Sequence, residues 1–142
     1  MTEGVLREAG DWARPQMYTV SPFERTMFVG SKLALPFDKP WFPLLDHADL
    51  VLMQHADRTL ASPVWVPSDQ AERRATIAEL GTENFMRFST DLVFFGRSAR
   101  LEAMMAAWYE EWLRWKLGWD LALMRAIHRC PVRIAPIRRL AR

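Results

Sequence analysis

Two short, almost wholly apolar runs constrain this chain more than any other feature. One is Leu50-Val51-Leu52-Met53, which follows Asp49; the other is Leu92-Val93-Phe94-Phe95. Neither alternates polar with apolar residues, so each reads as a strand buried on both faces. Strands of that kind need a packed layer on each side, and the segments around them have the pattern of helices. A helix is expected from about Gln70 to Leu80, opened by an Asp69 to Glu72 capping box and ended by Gly81. Ser98 caps the clearest helix, about Ala99 to Leu117. On it Leu101, Met104, Met105, Trp108, Trp112 and Trp115 recur at three- and four-residue steps and form one apolar stripe. Gly118 breaks that helix, another runs from about Trp119 to Arg129, and Pro131 stops it.

Further strands are read at Arg25 to Val29, ending at Gly30, and at Val132 to Ile134, with Asn84 to Phe95 strand-like throughout. Residues 1 to 20 read as a short helix or an irregular lead-in interrupted by Pro15. Trp41 to Leu45 has room for one or two helical turns among Pro36, Pro40 and Pro43. The order strand, strand, helix, strand, helix, helix, strand argues for an α/β domain with a mostly parallel sheet flanked by helices.

A length of 142 residues fits one domain, and no internal repeat divides it. Half the residues are hydrophobic and a quarter charged, which excludes a disordered or fibrous chain. The single cysteine, Cys130, excludes an internal disulfide, carries no sign of thiolate activation, and gives no hint of an oxidising compartment. No Cys/His spacing of the zinc-site kind is present, and His47, His55 and His128 share no ligand spacing. The N-terminus has mixed charge without the apolar stretch of a signal peptide, and no run reaches the length of a spanning helix, so a cytoplasmic location is the default expectation.

The net charge is +2, but Asp120 is the last acidic residue, and Arg125, Arg129, Arg133, Arg138, Arg139 and Arg142 follow it. Such a tail either attracts phosphates or anionic surfaces or is a solvated terminus. Without aromatic residues interleaved among the basic ones, the pattern argues against nucleic acid as a partner.

Four stretches resemble the nucleotide-diphospho-sugar transferases of the GT-A, Rossmann-like type. SPFERTMFVGSKLALPFD, Ser21 to Asp38, is similar to the family's "sPfe-tlylDsDt" pattern. LLDHADLVLMQH, Leu44 to His55, resembles the "LLd-fDla" segment after it. RFSTDLVFFGRSARLEAMMAAWYEEW, Arg87 to Trp112, is similar to the "fNsGvmlFrrs" strand with its long helix. DLALMRAIHRCPVRIAPI, Asp120 to Ile137, resembles the "DQpaL-rAlhr-pvrl-pLp" close. The resemblance implies a partial GT-A sheet lacking the family's first strand, in a single glycosyltransferase-like domain, 1–142, shortened at both ends.

The implied activity is transfer of a sugar from a nucleotide-diphosphate donor, and the departures bear on it directly. The family's Asp-x-Asp pair would hold Mn²⁺ or Mg²⁺ against the leaving diphosphate. Here those places hold Gly30 and Lys32, so the metal's ligands are absent and no cofactor is expected. Lys32, with Ser31 beside it, is the candidate for holding the donor phosphates as a point charge, or else a solvent-facing lysine. Asp91, in the altered "fNsG" position, and Asp120, in the altered "DQ" position, are the candidate catalytic pair, as general base and acceptor of a sugar hydroxyl. The structural alternatives are a surface aspartate for Asp91 and a helix-cap aspartate for Asp120. Asp46 and Asp49, three apart, can bind a cation weakly or form a turn. A catalytically degenerate remnant, or a non-catalytic binding or assembly partner on the same scaffold, fits these losses as well. A protein partner or a homo-oligomer would then cover the sheet edge left bare.

Overall fold

The computed structural model describes residues 1–9, 12–30, 41–59 and 70–138, without the side chains of 55–58 and 138. The described residues form five strands and four α-helices: β1 (Glu3–Arg7), α1 (Met17–Val20, after a 3-10 turn at Arg14–Gln16), β2 (Arg25–Val29), β3 (Leu50–Thr59), α2 (Gln70–Leu80), β4 (Met86–Gly96), α3 (Ala99–Trp115), α4 (Trp119–Arg129) and β5 (Ile134–Arg138). A second 3-10 turn spans Phe42–Asp46 before β3. The chain is an α/β protein with one mixed sheet.

The strands lie in the order β1-β2-β4-β3-β5. β1 pairs parallel with β2 and β3 parallel with β5, whereas β4 pairs antiparallel with both β2 and β3. Four strands therefore run one way and the central one runs against them. The expectation of a mostly parallel sheet is corrected accordingly: the two central pairings are antiparallel. Apolar runs report that a strand is buried on both faces, but they say nothing about its direction.

The lead-in is also corrected. Residues 3–7 form a strand, so the edge beside β2 that was expected to be bare is filled and the outermost edge is β1. In β5 the strand begins at Ile134, later than the run read from Val132.

Burial explains why β2, β3 and β4 carry continuous apolar sequence. Phe28, Leu50, Leu52, Val93 and Phe95 face one side, against Leu101, Met104, Met105 and Trp108 of α3 and Ala122, Leu123 and Ala126 of α4. Their sequence neighbours Met27, Val29, Val51, Met53, Leu92 and Phe94 face the other side, where Trp41, Phe42 and Leu45 of the second 3-10 turn meet them. Phe42 and Trp41 both stand edge-on to Phe94, with ring centroids 5.2 and 6.0 Å away. Edge-to-face contacts of this kind add to area burial.

The helix ends follow their local signals. Ser98 Oγ accepts from the Leu101 N–H at 3.1 Å, and Lys116 closes α3 in a left-handed conformation. Trp112 stacks on Trp119 at 4.6 Å, and Trp108 Nε1 donates to the Trp119 carbonyl at 3.0 Å, so the α3–α4 corner is fixed by indoles.

A buried ion cluster joins the three long helices. Arg125 of α4 is fully buried, with Nη1 2.8 Å from Glu72 of α2 and Nε 2.8 Å from Glu111 of α3. Its Nη1 also donates to Thr76 Oγ1, and its Nη2 to the Glu111 carbonyl. Glu72, read from sequence as half of a capping box, is thus a buried partner of Arg125; Asp69, the other half, lies outside the described residues. Arg114 and Arg129 bond Glu111 from the solvent side.

Candidate functional site

Because β1, β2, β3 and β5 run together, their carboxyl ends share one edge of the sheet, and β4 begins there. Ligands in open α/β sheets bind outside the carboxyl ends of the strands. The chemistry-bearing side chains at this end gather around Gly30, immediately after β2. Its N–H donates to the Asp91 carbonyl at 2.7 Å. Asp91 Oδ1 is 2.9 Å from Arg14 Nη2, and the same nitrogen donates to Glu8 Oε2 at 3.2 Å. Arg14 Nη1 donates to the Thr90 hydroxyl, and the guanidinium lies 5.9 Å from the centre of the Phe28 ring. Two carboxylates and one fixed cation therefore meet at the carboxyl ends of β1 and β2, beside the middle of β4. Arg14 is 13% exposed and Asp91 46%, so the pair opens to solvent on the aspartate side.

Gly30 is what allows this arrangement. A Cβ on it would lie 2.9 Å from Asp91 Oδ1 and 3.2 Å from Arg14 Nη2. The space that an acidic side chain would need is held by the ion pair. The donor set also fails to fit a divalent cation. Glu8 and Asp91 converge on a guanidinium that cannot lose its proton, and no cluster of three metal-ligating side chains occurs among the described residues.

Asp120 has other partners. Its Oδ2 accepts from Arg87 Nε at 2.9 Å and its Oδ1 from the Leu121 N–H at 3.0 Å, in the first turn of α4. The two candidate aspartates thus have separate partners, Arg14 for one and Arg87 for the other. Asp120 has the geometry of an aspartate at a helix start, although Gly118 holds the cap position itself. Ser31 and Lys32 lie outside the described residues. Beside the start of β4, Phe85, Met86, Phe88, Ile134 and Pro136 line an apolar groove of about 390 Å³ with Asn84 at its rim.

Two further readings left open by the sequence are narrowed by ion pairing. Asp46 and Asp49 do not form a joint cation site: Asp46 pairs with Arg25 at 2.6 Å, while buried Asp49 accepts from the Arg133 N–H at 2.8 Å and pairs with Arg100 at 3.3 Å. In the arginine-rich close, the side chain of Arg138 and all of Arg139 and Arg142 lie outside the described residues. The described side chains there are paired: Arg125 is in the buried cluster, Arg129 pairs with Glu110 and Glu111, and Arg133 lies 3.8 Å from Asp49. Their acidic partners come from earlier in the chain, where a reading of the tail alone does not look. Arg14, Glu8 and Thr90 were not singled out from sequence. Arg14 sits in a segment with no periodic pattern, and its partner Asp91 is far along the chain.

The chain matches no family model, no curated protein and no solved structure. Among the described residues, no helix is long and apolar enough to cross a membrane.

Proposed function

We propose that this chain is a glycosyltransferase-like domain, of partial GT-A type, in which metal-assisted sugar transfer is lost and a cluster around Arg14 at the strand ends stands in the metal's place. One observation carries the reading. The position where the resemblance expects a metal-binding aspartate is Gly30, and its side-chain space is filled by the Arg14–Asp91 ion pair. A guanidinium bridging Glu8 and Asp91 takes the metal's place there as a fixed cation with directed donors, although the two carboxylates that hold it leave the cluster itself net negative. Lys32, two residues beyond Gly30 in sequence, adds a second cation for a nucleotide diphosphate. In this reading Asp91 accepts a hydroxyl of the sugar, and Asp120 braces the start of α4 through Arg87.

Calorimetry with uridine and guanosine diphospho-sugars, with and without Mn²⁺, tests it. The expected result is binding that Mn²⁺ does not strengthen and that Arg14→Ala and Lys32→Ala each weaken, with no sugar released. Turnover stimulated by Mn²⁺ would refute the loss of metal chemistry. Binding of no donor under either condition would remove the transferase-like reading and leave the second one, a non-catalytic assembly partner on the same scaffold. That second reading is favoured by the outer edge of β1, with which no described strand pairs.

A further inference from the structure

β1 is the last strand on its side of the sheet, and no described strand pairs with its outer edge. The ladder to β2 fixes which backbone groups face outward. The Arg25 N–H donates to the Thr2 carbonyl at 3.0 Å, and the Glu8 N–H donates to the Val29 carbonyl at 2.9 Å. In a parallel pair, alternate residues of a strand direct both backbone groups to the same neighbour. Thr2, Gly4, Leu6 and Glu8 therefore serve β2, and Glu3, Val5 and Arg7 direct their N–H and C=O groups away from it. The side chains of those same three residues are exposed, Val5 to 46%. A strand edge whose hydrogen-bonding groups are met by no described strand is a template for another strand.

We infer that a second copy of this chain fills that edge, with β1 pairing antiparallel to β1 about a two-fold axis through Val5. The strand Glu3-Gly4-Val5-Leu6-Arg7 is complementary to its own reverse. Centred on Val5, the pairing places Glu3 opposite Arg7 of the second copy, Val5 opposite Val5, and Arg7 opposite Glu3. All three are hydrogen-bonded pairs, because they are the residues whose backbone groups face outward. Opposite charges directly across an antiparallel pair stabilise it and like charges destabilise it. Registers that centre on Glu3 or on Arg7 set like charges against each other. The intermediate registers set a charge against Val5. The central register alone satisfies both ends of the strand.

Packing points the same way. Val5 is in register with Met27, a member of the apolar layer that includes Val29, Val51 and Phe94. Val5 against Val5 would carry that layer from one copy into the next and give one continuous sheet. A two-fold, isologous contact of this kind closes on itself and leaves no repeating edge. The pairing is independent of any nucleotide-sugar site.

Sedimentation velocity of the full chain over a concentration series tests the pairing. The wild type is expected to be a monomer–dimer mixture. Glu3→Arg and Arg7→Glu are each expected to weaken the dimer about tenfold or more, because each sets like charges across both ends of the strand. Mixed in equal amounts, the two variants are complementary again and should form a heterodimer as tight as the wild-type dimer. The double exchange, Glu3→Arg with Arg7→Glu, should dimerise alone. Circular dichroism of each variant, matched to wild type, establishes that it is folded. A wild type that stays monomeric throughout the series, a dimer indifferent to both reversals, or folded variants that do not recover on mixing would each overturn the proposal.

Discussion

Replacing Arg125 with methionine should cost this protein a large fraction of its stability. The side chain is fully buried, and it lies 2.8 Å from Glu72, which is itself 1% exposed, and 2.8 Å from Glu111, whose side chain is 4% exposed. Methionine fills much of the same volume but removes the guanidinium that lies against the buried Glu72 carboxylate. Glu111 keeps Arg114 at 2.7 Å and Arg129 at 3.2 Å, so its loss is smaller. Breaking a buried pair from one side costs about 3–5 kcal/mol, because an uncompensated charge stays buried. Against a total stability of roughly 5–15 kcal/mol, that is about a fifth of it or more. With a urea slope of about 2 kcal/mol per molar, the unfolding midpoint should fall by roughly 2 M. Tryptophan fluorescence reads it directly, since Trp108 and Trp119 lie at the α3–α4 corner. Adding Glu72→Leu and Glu111→Leu to Arg125→Met should recover most of the loss, as apolar replacement of whole buried ion clusters often does. A midpoint shift below about 0.5 M for Arg125→Met alone would refute the view that this cluster is a closed, mutually dependent unit.

Two more outcomes follow from the geometry. Gly30→Ala should destabilise by about 1–3 kcal/mol, since its Cβ crowds Asp91 and Arg14. Thermal unfolding of Gly30→Ala, Arg14→Ala and the double variant should reveal coupling between the two sites, and a neutral Gly30→Ala would show that the pair yields freely. Burial raises the pKa of Glu111, but hydrogen bonds from Arg125, Arg114 and Arg129 outweigh it and hold the folded value below its ordinary 4.5. A depressed folded value means a contribution that is full above the unfolded pKa and lost as pH falls through the folded one. Urea midpoints measured on acidification below about pH 4.5 should therefore drop more steeply for wild type than for Glu111→Gln, and superimposable acid limbs would count against that account.

The sequence made the helices legible because their ends are chemical events. Gly81, Ser98, Gly118 and Pro131 punctuate α2, α3 and α4 within a residue or two of the observed bounds. The buried strands were legible in existence, since Leu50–Met53 and Leu92–Phe95 have no polar face. Their pairing was not, because burial on both faces is the same for a strand running either way. β1 escaped because its inward residues are Gly4 and Leu6 and its outward ones mix Glu3 and Arg7 with Val5, which is no pattern at all until β2 lies beside it. The candidate site was half legible. Gly30 and Asp91 stood out as departures from a family pattern and meet in the structure. Arg14, which explains both, gave no local signal, because what defines it is a contact with a strand brought to it by the fold.

The reversed strand in the middle of the sheet has a bearing on how the chain is made. β4 lies between β2 and β3 but is synthesised after both, so Met27 must wait for Phe94 and Leu52 for Val93 before β2 and β3 are joined into one sheet. Until then the emerging chain presents two apolar strands that cannot zip to each other in their final arrangement. Closure of the sheet is a late, long-distance insertion, with α3 and α4 arriving later still to cover it. A chain of this design folds slowly for its size and is most vulnerable to sticking to its neighbours while it waits on the ribosome.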